Sequence, residues 1–131
     1  MRVKRSWGRY TEVVTIQEFA RMDLPLSTPN HAGVYDEHTT VLIPSSGGTL
    51  ALVKIARGKD GYRVSSEFET QTGFSGFWPS KNSKLCKDKT DAFIAGVIRL
   101  EKEWDMGFSK ACSDQAREIY FNAIHKQLTL F

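Results

Sequence analysis

One stretch of the sequence collects four side chains that could transfer protons or hold a metal ion. His31, Asp36, Glu37 and His38 lie in a loop predicted for residues 24–39, and imidazole and carboxylate groups are common general acids, general bases and zinc ligands. Their spacing matches no zinc or nuclease pattern. We therefore interpret the group as ordinary polar loop composition, and an enzyme with its site in this loop is the alternative.

The sequence also lacks other common signatures of catalysis. Residues 45–48 read Ser-Ser-Gly-Gly, without the Gly-Lys-Ser or Gly-Lys-Thr ending of a phosphate-binding loop, so they predict a turn. Cys86 and Cys112 are the only cysteines, and neither has a second cysteine or a histidine at metal-ligand spacing. We therefore expect a cytoplasmic protein with no cofactor and no metal, and a binding function rather than an enzymatic one.

Positive charge is concentrated in two segments of a chain whose net charge is only +3. The first is a basic N-terminal arm, residues 1–10, which contains no acidic residue. Cations that pair with phosphates, together with an aromatic face that stacks on bases, are typical of single-stranded nucleic-acid binding. The candidate contact residues of the arm are Arg2, Lys4, Arg5, Trp7 and Arg9. The alternative is a solvated basic end whose Trp7 packs on the sheet.

The second basic segment, residues 81–89, directly precedes a predicted helix. Free amide groups at a helix N-terminus already favour phosphate, so nearby lysines would extend an anion site for DNA or for an acidic protein surface. The candidate residues are Lys81, Lys84, Lys87 and Lys89. An exposed loop without a ligand is the alternative.

Phe74, Phe77 and Trp78 form an aromatic cluster that ends at Pro79. If they were exposed, they would form a platform for base stacking or for a protein partner. Aromatic residues beside glycines in a short strand are more often buried, so we predict that these three belong to the core.

The last five residues carry the most specific motif. Gln127, Leu128, Thr129, Leu130 and Phe131 spell QLTLF, which closely resembles the Q-L-S/D-L-F peptide by which bacterial proteins bind the replication sliding clamp. Thr129 departs from the usual Ser or Asp but keeps the hydroxyl group of Ser. We recognise no family in the rest of the chain.

The resemblance implies a role for these residues. Gln127 would hydrogen-bond in a small subsite of the clamp, Leu130 and Phe131 would fill a hydrophobic pocket, and Leu128 completes the motif. The protein would then be a small accessory or adaptor protein of DNA replication, or a factor of a mobile element, with DNA contacts from its basic segments. The alternative is a phage- or plasmid-borne inhibitor or binding protein that acts on a protein target and whose tail packs against the last helix.

Short sequence signals predict the helices and strands that hold these residues in place. A capping box at Thr15 and Glu18 predicts a short helix that begins near Ile16. Residues 39–43 and 49–56, rich in Thr, Val, Ile and Leu, predict two strands joined by the turn at 45–48.

A second hairpin turn is predicted at Asp60 and Gly61, because this pair readily adopts the positive φ angles of a tight turn. Mainly apolar and polar residues alternate from 62 to 69. One face of that strand should therefore pack on the core, and the other should be exposed to water. The core-facing set is Tyr62, Val64, Ser66 and Phe68, and the water-facing set is Arg63, Ser65, Glu67 and Glu69.

Two helices are predicted after the strands. Thr90 would cap a helix through about Trp104, and Ser109 or Ser113 would begin the last one. The chain of 131 residues has the length of a single domain, and no segment reaches the roughly 18 apolar residues of a membrane span. The sequence thus predicts one α+β domain: an antiparallel sheet of three to five strands packed against two C-terminal helices, with a short N-terminal helix.

Overall fold

An antiparallel sheet of five strands and three helices make up most of the protein. The computed structural model describes residues 1–5, 7–46, 48–70, 73–103 and 108–129. The elements in chain order are β1 (Arg2–Lys4), β2 (Tyr10–Glu12), α1 (Ile16–Arg21), β3 (Thr39–Ile43), β4 (Leu50–Gly58), β5 (Gly61–Thr70), β6 (Gly73–Gly76), β7 (Lys84–Cys86), α2 (Lys89–Glu103) and α3 (Lys110–Thr129). The predicted α+β class is confirmed.

Strand β5 lies at the centre of the sheet. The strand order is β3-β4-β5-β6, and β7 pairs with β5 beside residues 62–64, on the stretch that β6 does not cover. The predicted hairpin between β4 and β5 is present, but its turn residues are Lys59 and Asp60, one position earlier than predicted, because Gly61 pairs with Gly58. Gly61 has a φ of 137° that favours glycine. Strands β3 and β4 form the other predicted hairpin, although Gly47 in its turn lies outside the described residues.

Helix α2 packs on one face of the sheet, which we call the inner face, and α3 packs against α1 and α2. Ala51, Val53 and Ile55 of β4 point into this core together with Val64 of β5. Helix α2 approaches closely at Gly96, where a Cβ atom would lie only 2.5 Å from Cγ1 of Val53. The backbone carbonyl of Gly96 accepts a 2.7 Å hydrogen bond from Ser66 on the same face.

Three aromatic rings join the helices to one another. Phe93 of α2 stacks on Tyr120 of α3 with ring centroids 4.6 Å apart, and Phe19 of α1 lies 5.9 Å from Phe93. All three side chains are fully buried. Burial of large aromatic surfaces is the main stabilising contribution at such a junction.

The helix starts agree with the sequence signals, with one exception. The Thr15 hydroxyl accepts from the Glu18 amide and the Glu18 carboxylate accepts from the Thr15 amide, which is the predicted capping box. Helix α2, however, is capped by Asp88, whose carboxylate accepts from the Asp91 amide at 2.8 Å. The Thr90 hydroxyl instead hydrogen-bonds with the Tyr120 hydroxyl in the helix junction at 2.9 Å, so the Thr90 cap was wrong.

The opposite, outer face of the sheet is not open to water as the alternation predicts. Ser65, Glu67 and Glu69 of β5 are buried. The basic arm folds back as a hairpin of β1 and β2, and Arg5, directly after β1, reaches Glu67 and Glu69. The prediction that this face is exposed to solvent was wrong. Strand alternation shows which residues share a face, but it does not show what covers that face.

The remaining long loop, residues 24–38, is tied to the sheet rather than extended into solvent. Leu26 forms a bridge with Arg57, and Val34 forms one with Ser80. Asn30 orders the turn, because its side-chain oxygen accepts from the amides of Ala32 and Val34. No helix in the described part of the chain is both long and apolar enough to cross a membrane.

Candidate functional site

A cluster of four charged side chains lies on the outer face. Arg5 pairs with Glu67, and its Nε lies 3.6 Å from a carboxylate oxygen of Glu69. Lys54 Nζ lies 2.7 Å from the other oxygen of Glu67. At most 9% of any of these side chains is exposed. Two cations and two carboxylates therefore neutralise one another in a site with little water, and we call them the buried ion cluster.

Burial disfavours the charged forms of Arg5 and Lys54 in the cluster. Burial, and then the positive charge of Arg5, lowers the pKa of Lys54 to about 8. Burial also lowers the pKa of Arg5, while the Glu69 carboxylate acts in the opposite direction. The Glu67 carboxylate at 2.7 Å favours the charged form of Lys54.

We predict a pH-dependent contribution of Lys54 to stability. Between pH 8 and pH 10.5, its ordinary pKa, the unfolded chain holds a proton that the folded protein has released. The contribution of Lys54 to the free energy of unfolding should therefore rise with pH across this window and stay constant below it. Urea denaturation of wild type and Lys54→Met across the window would measure this, because the difference between them cancels the other titrating groups. A difference that does not change with pH would contradict the prediction.

Three aromatic side chains surround a cavity of about 370 Å³ above the buried ion cluster. Trp7 is 51% exposed, Phe77 71% and Trp78 50%. Arg5 lies 4.3 Å from the ring centroid of Trp7, and Lys54 Nζ lies 5.6 Å from that of Trp78. Each indole thus has a cation on one side while about half of its surface remains exposed. We call this cavity the aromatic pocket; it is lined by Arg5, Trp7, Thr11, His38, Thr40, Lys54, Glu67, Gly76, Phe77 and Trp78.

The prediction that Phe77 and Trp78 belong to the core was wrong. Strand β6 ends at Gly76, so the two residues follow the chain as it leaves the sheet edge over the outer face. The Ser65 hydroxyl donates a 2.6 Å hydrogen bond to the Phe77 carbonyl and anchors this segment by its backbone. The side chain of Phe74 lies outside the described residues.

His38 forms one wall of the aromatic pocket. Its ring lies edge-on to Trp78, with centroids 5.1 Å apart, and its Nδ1 lies 2.8 Å from the Tyr35 carbonyl oxygen. A carbonyl only accepts, so Nδ1 carries the hydrogen and the neutral ring keeps Nε2 as an acceptor. Burial lowers the pKa of His38, which favours this neutral form.

The polar loop residues do not converge on a metal site. Asp36 accepts hydrogen bonds from the side-chain amide of Asn30 at 3.1 and 3.2 Å, and so helps to order the loop. Among the described residues, no three His, Cys, Asp or Glu side chains come together in a way that could hold a metal ion. Of the loop candidates, only His38 lines a cavity described above.

The basic arm presents two different faces. Arg2, Lys4 and Tyr10 are exposed and lie on the side of the hairpin that points away from the sheet, and Arg9 is exposed beside the turn. Arg5 points the other way into the buried ion cluster. Of the arm's candidates, Arg2, Lys4, Trp7 and Arg9 therefore remain accessible to a ligand.

The second basic segment lies elsewhere on the molecule. Lys84 and Lys87 line a groove with Ile94 and Ile98 of α2, on the inner-face side of the sheet, and Lys81 is exposed in a turn. Lys89 is engaged internally, because its Nζ donates to the carbonyls of Phe19, Ala20 and Met22 at the end of α1. Lys84 and Lys87 therefore lie on the side of the sheet that α2 covers, and Lys89 is engaged within the protein.

Two of the candidate clamp-binding residues, Gln127 and Leu128, belong to α3. The backbone of Gln127 and Leu128 forms part of the last helical turn, which ends at Thr129. Leu130 and Phe131 lie outside the described residues. Comparisons with protein-family models, with curated proteins and with solved structures found no match to this chain.

Proposed function

We propose that this protein is a small adaptor that binds the bacterial replication sliding clamp through Gln127, Leu128, Leu130 and Phe131. The observation that carries the proposal is the pentapeptide QLTLF in the sequence. The contacts of α3 with the core run through Ala123 and Ile124, and the next two residues, His125 and Lys126, are exposed. The motif begins at the next residue of the chain, Gln127.

The physical requirements of such an anchor are modest. Two apolar side chains that become buried in a partner contribute roughly 3 to 6 kcal/mol before ordering costs, which suits a micromolar interaction. An extended bound peptide would require the last turn of α3 to unwind. Terminal helical turns open at low cost because their final carbonyl groups lack intrahelical partners.

Calorimetric titration of a bacterial sliding clamp tests the proposal. Wild type should bind with a dissociation constant in the micromolar range, and replacement of both Leu130 and Phe131 by Ala should weaken binding by at least about 30-fold, the equivalent of roughly 2 kcal/mol. Leu85→Ala is the matched control, because it removes an exposed apolar side chain from β7 and should leave binding unchanged.

Thermal melting of the same variants separates the two hypotheses for the tail. The adaptor proposal expects the Leu130→Ala, Phe131→Ala double variant to melt at the same temperature as wild type. If wild type does not bind the clamp and the double variant melts several degrees earlier, the tail belongs to the core. The alternative of an inhibitor or binding protein with a structurally packed tail would then be favoured.

A further inference from the structure

We propose that the aromatic pocket binds an unstacked base of a single-stranded nucleic acid, with the phosphates held by the exposed side of the β1–β2 hairpin. This proposal concerns the outer face of the sheet and does not depend on the clamp motif. It combines two observations: exposed aromatic rings around a cavity with polar walls, and a basic hairpin that carries one of those rings.

The aromatic rings determine the shape of the ligand. Trp7, Phe77 and Trp78 line the same cavity, and half or more of the surface of each is exposed. Large exposed aromatic side chains offer flat faces on which a planar ring stacks, and every nucleobase has such a face. A cavity of about 370 Å³ leaves room for a ring system between these walls.

The charges beneath the rings exclude other ligand classes. A cationic ligand, such as a methylated lysine in an aromatic cage, would approach Arg5 and Lys54, which already occupy the cation positions beside Trp7 and Trp78. An anion would find those cations neutralised by the carboxylates of Glu67 and Glu69. A neutral planar ligand is not repelled by Arg5 and Lys54, and its binding does not depend on an ion pair with them.

Polar groups on the walls suit the edge of a heteroaromatic ring. His38 offers Nε2 as an acceptor, since its Nδ1 is engaged with the Tyr35 carbonyl. The Thr11 hydroxyl accepts from Arg5 at 3.1 Å and keeps its own hydrogen to donate, and Thr40 adds a second hydroxyl. Donors and acceptors beside stacking faces are the usual means of holding a splayed base.

The hairpin supplies the contacts for the backbone of the same strand. Arg2, Lys4 and Arg9 are exposed on the segment that contains Trp7, so phosphates on either side of a stacked base would meet positive charge. Glu12 is the acidic residue of this face, and it pairs only loosely with Arg2, at 4.0 Å. A partner protein that inserts an aromatic side chain would not need these three cations.

Fluorescence anisotropy with labelled single strands of about ten nucleotides, as DNA and as RNA, tests the proposal. Wild type should bind at least one of the two and should bind the corresponding duplex more weakly. Trp78→Ala should reduce the affinity about 10-fold or more, as the loss of one stacked base predicts, and Phe77→Ala should also reduce it. Trp78→Phe should bind more tightly than Trp78→Ala, because phenylalanine keeps a stacking face. The double variant Leu130→Ala, Phe131→Ala should bind nucleic acid as wild type does.

Matched controls distinguish the pocket from general effects. Phe121→Ala removes an equally exposed aromatic side chain from α3, outside the pocket, and should leave the affinity unchanged. Arg9→Gln should lower the slope of log affinity against log salt by about 1, whereas Lys59→Gln in the β4–β5 turn should not. The proposal is overturned if wild type binds neither strand, if duplex binds equally well, or if Trp78→Ala and Phe77→Ala bind like wild type.

Discussion

Replacing Glu67 with Gln should lower the free energy of unfolding by about 3 to 5 kcal/mol. The substitution keeps the shape of the side chain but removes the charge that Arg5 and Lys54 share. Two buried cations would then face the single carboxylate of Glu69, and water could not solvate the excess charge. Chemical denaturation followed by circular dichroism measures the loss.

An exposed ion pair provides the control for this prediction. Glu103 pairs with Arg99 at 3.2 Å on the surface of α2, with both side chains nearly half exposed. Glu103→Gln should therefore change the free energy of unfolding by less than about 1 kcal/mol. A Glu67→Gln variant as stable as Glu103→Gln would show that the buried ion cluster is well solvated in the folded protein.

A double variant tests whether charge balance is the cause. Lys54→Met combined with Glu67→Gln removes one cation and one anion, and leaves Arg5 with Glu69. The double variant should be more stable than the sum of the two single losses predicts, by about 1 to 3 kcal/mol. Strict additivity would mean that the two side chains contribute independently.

Replacing Phe93 with Ala should also lower the free energy of unfolding by about 3 to 5 kcal/mol. Phe93 is fully buried and stacks between Tyr120 at 4.6 Å and Phe19 at 5.9 Å, so the substitution would leave a cavity where all three helices meet. The rings of Phe19 and Tyr120 lie on separate helices and could close that cavity only in part. The same denaturation experiment measures the effect.

Phe121→Ala is the matched control for the cavity. Phe121 follows Tyr120 directly but is 47% exposed, so its loss removes an aromatic ring from the same helix without opening the core. We expect a change below about 1 kcal/mol. If Phe93→Ala were as mild as Phe121→Ala, the aromatic junction would not be what holds the helices together.

The two large effects have different consequences for function. Phe93 supports the inner face and all three helices, so its loss should reduce the whole domain's stability. Glu67 holds Arg5, and Arg5 connects the basic hairpin to the outer face beside Trp7. Loss of Glu67 should therefore also disturb the aromatic pocket and weaken any ligand that the pocket binds.

Most helices and strands of this fold could be predicted from the sequence, because their signals are local. The capping box at Thr15 and Glu18, the glycine at position 61 beside the second hairpin turn and the Ser109 start of α3 each act over a few residues. Such signals do not depend on the rest of the chain, so the three helices, the β3–β4 and β4–β5 hairpins and the α+β class follow from them. The β1–β2 hairpin was not predicted.

What covers the outer face depends on packing between distant segments, and it could not be predicted from the sequence. Nothing near Lys54 or Glu67 in the sequence indicates burial, apart from the apolar neighbours of Lys54 in β4. Their partner Arg5 comes from the distant N-terminal hairpin, and Trp78 is exposed because the chain leaves the sheet after Gly76. The same long-range packing turns Arg5 inward and engages Lys89 at the end of α1. Contacts between distant segments depend on how whole elements pack, and no local pattern of residues encodes them.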